Sequence, residues 1–84
     1  MLTVRYFAGA RAAAGVTEEQ VPADRLATPT IADLVETLTA WHGPNLAKVL
    51  GVASFLVDGL PWHDRTAQVP AGATVDVLPP FAGG

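Results

Sequence analysis

Only one long stretch of this chain has the period of an amphipathic helix, and the fold has to be built around it. Thr30 can cap its first turn, Asp33 places a negative charge there, and Gly43-Pro44 ends it. A weaker helical pattern follows over residues 45–50. The apolar residues of the main helix recur three or four positions apart and are predicted to share one buried face: Ile31, Leu34, Val35, Leu38 and Trp41.

The segment before this helix predicts two strands joined by a compact loop. Leu2, Val4 and Tyr6 alternate with Thr3, Arg5 and Phe7, which is the period of a strand over residues 2–7, and residues 16–21 can return as a second strand. Between them, residues 10–14 favour a short helical turn that ends at Gly15.

The segment after the helix predicts a hairpin and a final strand. Residues 54–57 and 60–62 flank Asp58-Gly59, a dipeptide that tolerates positive φ at both centres of a tight turn. Pro61 has no backbone N–H to donate, so its strand is expected at an edge of the sheet. After a proline- and glycine-containing turn, residues 74–78 alternate again as the last strand.

These elements follow the order β-β-α-β-β, and 84 residues leave room for one hydrophobic core. The expected class is therefore α+β, with a mixed sheet packed on one main helix in a β-grasp, ubiquitin-like arrangement. We expect residues 1–80 to form this single domain. Residues 81–84 are expected to form a flexible C-terminal tail that ends in Gly-Gly.

Composition excludes several classes of function. Without cysteine the chain has no disulfide, no thiolate nucleophile and no side chain that could carry a persulfide. A net charge of -3, with a single lysine and scattered arginines, offers no basic surface for nucleic acid. No apolar run approaches the roughly 20 residues of a membrane span, and Arg5 and Arg11 interrupt the only candidate signal peptide, so the expected location is the cytoplasm.

Self-contained catalytic or metal sites are not predicted. His42 and His63 lack the spacing of metal ligands, and His42 fits better as a residue that complements the dipole at the end of the helix. Asp33 and Glu36 are interpreted as solvated charges, and Ser54 has no G-x-S-x-G context. Because the chain also has no phosphate-binding loop, it is expected to bind neither a metal nor ATP by itself.

The C-terminal residues Leu78-Pro79-Pro80-Phe81-Ala82-Gly83-Gly84 have the pattern of a thin, extended tail. Two prolines end sheet pairing and stiffen the exit from the domain. The side chains then shrink to nothing, so that the tail can enter a narrow pocket and present the free carboxylate of Gly84. The alternative is an ordinary frayed chain end.

Both ends of the chain resemble one family of ubiquitin-like sulfur carriers, the small subunits of molybdopterin synthase. The start, VRYFAGARAAAG, is similar to a VxFFAxxRExxG pattern, with Phe7, Ala8, Arg11 and Gly15 in matching places and Ala12 where the family often has glutamate. The end, VDVLPPFAGG, resembles the closing strand, proline pair and diglycine of the family. The shorter thiamin sulfur carriers share the diglycine end but lack the FAxxR segment.

The resemblance implies a mechanism in which Gly84 is the reacting residue. A ubiquitin-activating-like adenylyltransferase would use ATP to convert Gly84 to an acyl adenylate, and a sulfur donor enzyme would then replace AMP to give a thiocarboxylate. The large subunit of molybdopterin synthase would receive the charged tail and use its sulfur for the dithiolene of molybdopterin. The small subunit would be non-catalytic alone, part of a heteromeric sulfurtransferase.

The resemblance also assigns binding roles. Phe81, Ala82 and Gly83 would form the rest of the inserted tail. Partner binding would use a surface near its base: Phe7, Leu60, Leu78 and Arg11.

Three other functions remain open at this point. The first is a sulfur carrier for thiamin or cysteine biosynthesis. The second is a ubiquitin-like protein modifier, in which Gly84 would form an amide with a target lysine. The third is a β-grasp interaction module whose tail has no chemistry.

Overall fold

The computed structural model describes residues 1–26 and 28–80, which form one mixed sheet covered on one face by helices. The chain order is β1 (Leu2–Tyr6), α1 (Gly9–Ala14), β2 (Glu18–Val21), a 3₁₀ turn (Ala23–Arg25), α2 (Ile31–His42), α3 (Pro44–Val52), β3 (Ser54–Val57), β4 (Leu60–Pro61) and β5 (Thr74–Leu78).

The five strands are arranged in the spatial order β2-β1-β5-β3-β4. The first and last strands, β1 and β5, pair in parallel at the centre, and every other neighbouring pair is antiparallel. This mixed sheet with its packed helices confirms the predicted α+β class and the β-grasp arrangement.

The core lies between the sheet and the helices. Alternate residues of β1 point into it, as do Val75 and Val77 of β5, while the main helix α2 contributes Ile31, Leu34 and Leu38. All of these helix residues are fully buried. Burying each such side chain stabilises the fold by about 1.5–3 kcal/mol, which explains why the helical stripe and the alternating strands have to meet.

The helix that follows the main helix, α3, is longer than the sequence predicted. Instead of a weak helical piece over residues 45–50, α3 runs over Pro44–Val52 and buries Leu46 and Leu50 completely. Proline suits the first turn of a helix because its missing N–H would have no partner there. Burial of two leucines one turn apart then stabilises a segment whose own propensity is modest.

Trp41 was predicted on the buried face of α2, and this prediction is wrong: its side chain is 41% exposed. Helix residues are about 100° apart, so Trp41 projects about 80° from the direction of Ile31, at the margin of the apolar stripe. His42 projects only about 20° from that direction and takes the inward position beside Tyr6.

The second strand starts at Glu18 rather than at residue 16. The N–H of Tyr6 donates to the carbonyl of Thr17 at 2.9 Å, and β1 ends there. Val16 therefore has no strand residue opposite it.

The hairpin is where the sequence placed it. Asp58 and Gly59 have φ values of 50° and 83°, which confirms the tight turn with two positive φ angles. The returning strand β4 ends at Pro61 instead of residue 62 and lies at the edge of the sheet, as expected for a strand that contains proline.

A hydrogen-bonded cluster fastens the C-terminal end of α2 to the first two strands. One carboxylate oxygen of Glu19 accepts from the hydroxyl of Tyr6 at 2.5 Å and lies 2.6 Å from Nε2 of His42. Burial, followed by the hydrogen bond and the negative charge of Glu19, raises the pKa of Tyr6 well above its ordinary value.

This shift predicts a loss of stability at alkaline pH. Above about pH 10 an unfolded tyrosine ionises, whereas folded Tyr6 keeps its proton, so the free energy of unfolding has to fall as pH rises further. Tyr6 is the only tyrosine, so tyrosinate absorbance reports on it alone and should appear together with unfolding. Tyr6→Phe should remove most of this pH dependence. Tyrosinate absorbance near pH 10 in a protein that circular dichroism shows to be folded would contradict the assignment.

Candidate functional site

The candidate site is the point where the chain leaves the sheet after β5. Because β1 and β5 are parallel, both strands end at the same edge of the sheet. Phe7 follows β1, and its N–H donates to the carbonyl of Val77 at 3.3 Å. On the other side of β5, Ser54 lies opposite Leu78 in the β3 ladder. The last residues before the two prolines are therefore held from both sides.

A sharp corner follows Phe7 directly beside this exit. Ala8 has φ 49° and ψ -124°, a conformation that costs a residue with a Cβ atom on the order of 1–3 kcal/mol. The corner turns the chain into α1, from which Nε of Arg11 donates to the carbonyl of Tyr6 at 3.4 Å. The Phe7–Arg11 segment singled out in the sequence thus forms a compact wall next to the base of the tail.

A salt bridge crosses the two central strands on the sheet face that the helices do not cover, here called the outer face. Nε and Nη2 of Arg5 donate to the two carboxylate oxygens of Asp76 at 2.6 and 2.9 Å. Asp76 is buried, whereas Arg5 is exposed and lies 5.7 Å from the centre of the Phe7 ring. The hydrogen bond and the charge of Asp76 raise the pKa of Arg5 above its ordinary value.

Of the four residues predicted to bind partners, three lie close together beside the exit of the chain, and Leu60 lies apart from them. Phe7 and Leu78 are both half-buried on the outer face beside the exit, and exposed Arg11 lies on the adjoining wall. Leu60 pairs with Val57, a core residue, so its side chain is on the helix side of the sheet, where it is 64% exposed. Leu60 therefore does not form one patch with Phe7 and Leu78.

Two further residues of the outer face were missed in the sequence. Leu56 lies opposite both Asp76 and Pro61 in the strand ladders, which extends the apolar surface across β3 to the edge of the sheet. The signal was present, since Leu56 alternates with the buried residues on either side of it. We call Phe7, Leu78, Leu56 and Pro61 the tail-base surface.

Other predicted residues have local structural roles. The N–H of Asp33 donates to the capping hydroxyl of Thr30, and its carboxylate accepts two bonds from Thr28, which lower its pKa. In the described ranges 1–26 and 28–80 no three histidine, cysteine or acidic residues cluster as metal ligands would. No helix among these residues is both long and apolar enough to span a bilayer. The predicted tail residues Phe81, Ala82, Gly83 and Gly84 lie outside the described part of the chain.

Comparison with solved structures extends the similarity over the whole chain. SAMP1, a small archaeal modifier protein from Haloferax volcanii, is 24% identical over 99% of this chain and 98% of its own, with a TM-score of 0.76. Subunit 1 of a molybdopterin converting factor from Pyrococcus furiosus is 25% identical, covering 95% of this chain and 97% of its own, with a TM-score of 0.70. The chain shares the β-grasp, ubiquitin-like fold of these proteins.

A third ubiquitin-like structure contains a partner. The complex of subunits 1 and 2 of the molybdopterin-converting factor from Helicobacter pylori includes a chain that is 18% identical, covering 99% of this chain and 97% of its own, with a TM-score of 0.70. Comparison with protein-family models and with curated proteins gave no match.

The strained corner predicts an unusual effect of glycine in this ubiquitin-like domain. Ala8→Gly should raise the free energy of unfolding by about 1 kcal/mol, because glycine adopts positive φ without the clash of a Cβ atom. Ala12→Gly is the matched control, since it makes the same change inside α1 and should lower stability by about 0.5–1 kcal/mol. Thermal unfolding of both variants measures the difference. If Ala8→Gly were destabilised as much as Ala12→Gly, residue 8 would not be strained.

Proposed function

We propose that this chain is a sulfur carrier that supplies the dithiolene sulfur of molybdopterin, and that Gly84 carries this sulfur as a C-terminal thiocarboxylate. The observation that carries the proposal is the similarity over nearly the full length of both chains to subunit 1 of molybdopterin converting factor. The sequence adds a diglycine end, and the absence of cysteine leaves the terminal carboxylate as the group available for sulfur.

The chemistry requires partners for each step. A carboxylate oxygen of Gly84 attacks the α-phosphate of ATP on a ubiquitin-activating-like adenylyltransferase, and pyrophosphate leaves. Hydrosulfide supplied through the donor enzyme then attacks the acyl carbon, and AMP leaves, so that the thiocarboxylate forms without a change in the oxidation state of sulfur. Activation is necessary because an ionised carboxylate is a poor electrophile. The large subunit of molybdopterin synthase would hold the pterin precursor that accepts the sulfur.

The described residues contribute the docking of the carrier and the placement of its tail. The tail-base surface is largely apolar and lies on the outer face beside the exit of the chain, so a partner that covers it is directed towards Gly84. The complex of subunits 1 and 2 from Helicobacter pylori supports a large-subunit partner for this chain as well. Because the start of the tail is fixed on a rigid sheet, the reacting carboxylate can reach fewer positions, which lowers the entropy cost of placing it in the active site.

A protein modifier is the second candidate, and the similarity to SAMP1 favours it. The same acyl adenylate would then react with a lysine amine, and the product would be an amide instead of a thiocarboxylate. The two functions share the activation step and differ in the nucleophile that follows.

Intact-mass analysis distinguishes these functions. Protein produced together with the adenylyltransferase and sulfur donor of its own organism should contain a fraction in which one oxygen at Gly84 is replaced by sulfur. Fragmentation locates the change, and deletion of Gly84 should abolish it. Lysine-linked conjugates without any thiocarboxylate would favour the modifier, and sulfur found only on a side chain would refute the carrier mechanism.

Docking and chemistry should be separable by mutation. Phe7→Ala and Leu78→Ala should each weaken binding to the adenylyltransferase or the large subunit by about fivefold or more, because loss of a central apolar contact commonly costs over about 1 kcal/mol. Sulfur transfer should recover at high carrier concentration. Deletion of Gly84 should leave binding nearly unchanged but remove activity at any concentration.

Two exposed residues provide comparisons for this test. Val52→Ala is the matched control, since Val52 is as exposed as Leu60, at 64%, but ends α3 outside the tail-base surface. Leu60→Ala tests separately whether the position assigned by resemblance contributes from the other face of the sheet. Calorimetric titration measures affinity, and circular dichroism verifies folding. Equal affinity of Phe7→Ala, Leu78→Ala and Val52→Ala for both partners would exclude the tail-base surface as the docking site.

A further inference from the structure

A recess lies on the other side of β5 from the Phe7 corner. This open cleft of about 360 Å³ lies along β3 and β4 and the turn that follows them. It is lined by the polar side chains of Ser54, Trp62, His63 and Arg65, by Phe55, and by Leu56 and Pro61, which also belong to the tail-base surface. Because Ser54 is opposite Leu78 in the sheet, the cleft is also close to the exit of the chain.

Arg65 is held in a fixed position in this cleft while part of its guanidinium stays unused. Its Nη2 donates to the carbonyls of Leu50 and Ala53 at 3.0 and 3.3 Å, at the C-terminal end of α3. The guanidinium also lies over the Phe55 ring, 4.9 Å from its centre. Among residues 1–26 and 28–80, no side-chain or backbone acceptor pairs with Nε or Nη1 of Arg65. A cation whose rotamer is already fixed loses little entropy when it binds an acceptor.

Trp62 places a second unused donor in the wall of the same cleft. Its indole Nε1 is buried and has no hydrogen-bond partner among the described residues. A buried donor without an acceptor costs about 1–3 kcal/mol, so a ligand oxygen that reaches it, after a small movement of the indole, would recover part of that cost. Trp62 is half-buried and directly follows the edge strand β4.

The charges around the cleft favour an anion. None of its lining residues is acidic, although the protein as a whole carries a net charge of -3. The acidic neighbour in sequence, Asp64, already accepts hydrogen bonds from the N–H and hydroxyl of Thr66, at 2.9 and 2.6 Å. These bonds lower the pKa of Asp64 and hold its charged carboxylate in its own turn, and among the described residues it forms no salt bridge with Arg65.

We propose that this cleft binds a carboxylate group, with Arg65 as the ion-pairing residue and Trp62 as an additional donor. A carboxylate with one negative charge matches the single fixed guanidinium better than a phosphate dianion does, and it would accept from Nε or Nη1 because Nη2 already donates to two carbonyls. The group can belong to a small organic acid or to an acidic side chain of a protein that approaches the exit of the chain. Binding here is independent of the chemistry at Gly84.

The test is a titration of the isolated protein followed by nuclear magnetic resonance. Sodium acetate, at constant ionic strength against sodium chloride, should shift the Trp62 indole N–H and the Arg65 Nε–H signals in a saturable way. The Trp41 indole is the internal control, because its side chain is 41% exposed on α2, and Trp41→Phe assigns the two indole signals. Absence of a saturable shift at Arg65, or the same shift with chloride, would overturn the proposal.

Two variants and two further probes complete the test. Arg65→Lys retains the charge but loses the fixed, planar guanidinium and should weaken acetate binding by about tenfold, and Trp62→Phe should weaken it less while leaving the protein folded. Unchanged acetate affinity in both variants would refute the assigned residues. Tighter binding of acetyl-Gly-Glu-Gly-amide than of acetate, with no binding of the matching glutamine peptide, would assign the site to a protein side chain. Binding of acetate alone would assign it to a small acid, and binding of phosphate in place of acetate would overturn the carboxylate assignment.

Discussion

The parallel pairing of the first and last strands is the constraint on which the rest of this structure depends. Thr3 to Tyr6 of β1 lie beside Thr74 to Val77 of β5, so that residues about 70 positions apart in sequence become neighbours at the centre of the sheet. Parallel strands need a long crossover connection, and here it contains the three helices α1, α2 and α3 that cover the core. The same pairing places the Phe7 corner beside the exit of the C-terminal segment.

The two faces of the sheet are stabilised in different ways, and this difference matters for function. The helix side is a continuous apolar core. On the outer face, Arg5 spans Asp76 with two hydrogen bonds and satisfies a carboxylate that is otherwise buried. Removing the arginine would leave this charge without a partner, which is costly in a site with little water. The pair thus maintains an outer face on which half-buried apolar groups stay available for a partner.

The chain leaves β5 between two surfaces of different chemistry. The Phe7 corner and Leu78 form an apolar side, and the cleft around Arg65 forms a cationic side near Ser54. A partner that holds the terminal residues can therefore contact both surfaces at once. Apolar contact would supply affinity, whereas a fixed arginine would select the orientation of an acidic group.

Local rules were sufficient for the parts of the fold that depend on neighbouring residues. The Asp58-Gly59 turn, the capping threonine of α2, the end of that helix at Gly43 and the edge position of Pro61 were all predicted from residue type and spacing. The length of α3 was underestimated, because its stability comes from burial of Leu46 and Leu50 against the sheet and only slightly from its own propensity.

By itself, the sequence determined that one alternating strand lies near the start of the chain, before the main helix. It also determined that a second alternating strand lies near the end of the chain and that a diglycine segment follows this strand. These are periodicities and backbone preferences, which act over a few residues. Only the tertiary structure decided that Phe7 and Leu78 share the outer face while Leu60 is on the other side. It also decided that Nη2 of Arg65 caps the C-terminal end of α3 while Nε and Nη1 have no acceptor among the described residues. Those relations depend on strand register and on contacts between distant segments, and a shift of register by one residue would reverse every one of those faces.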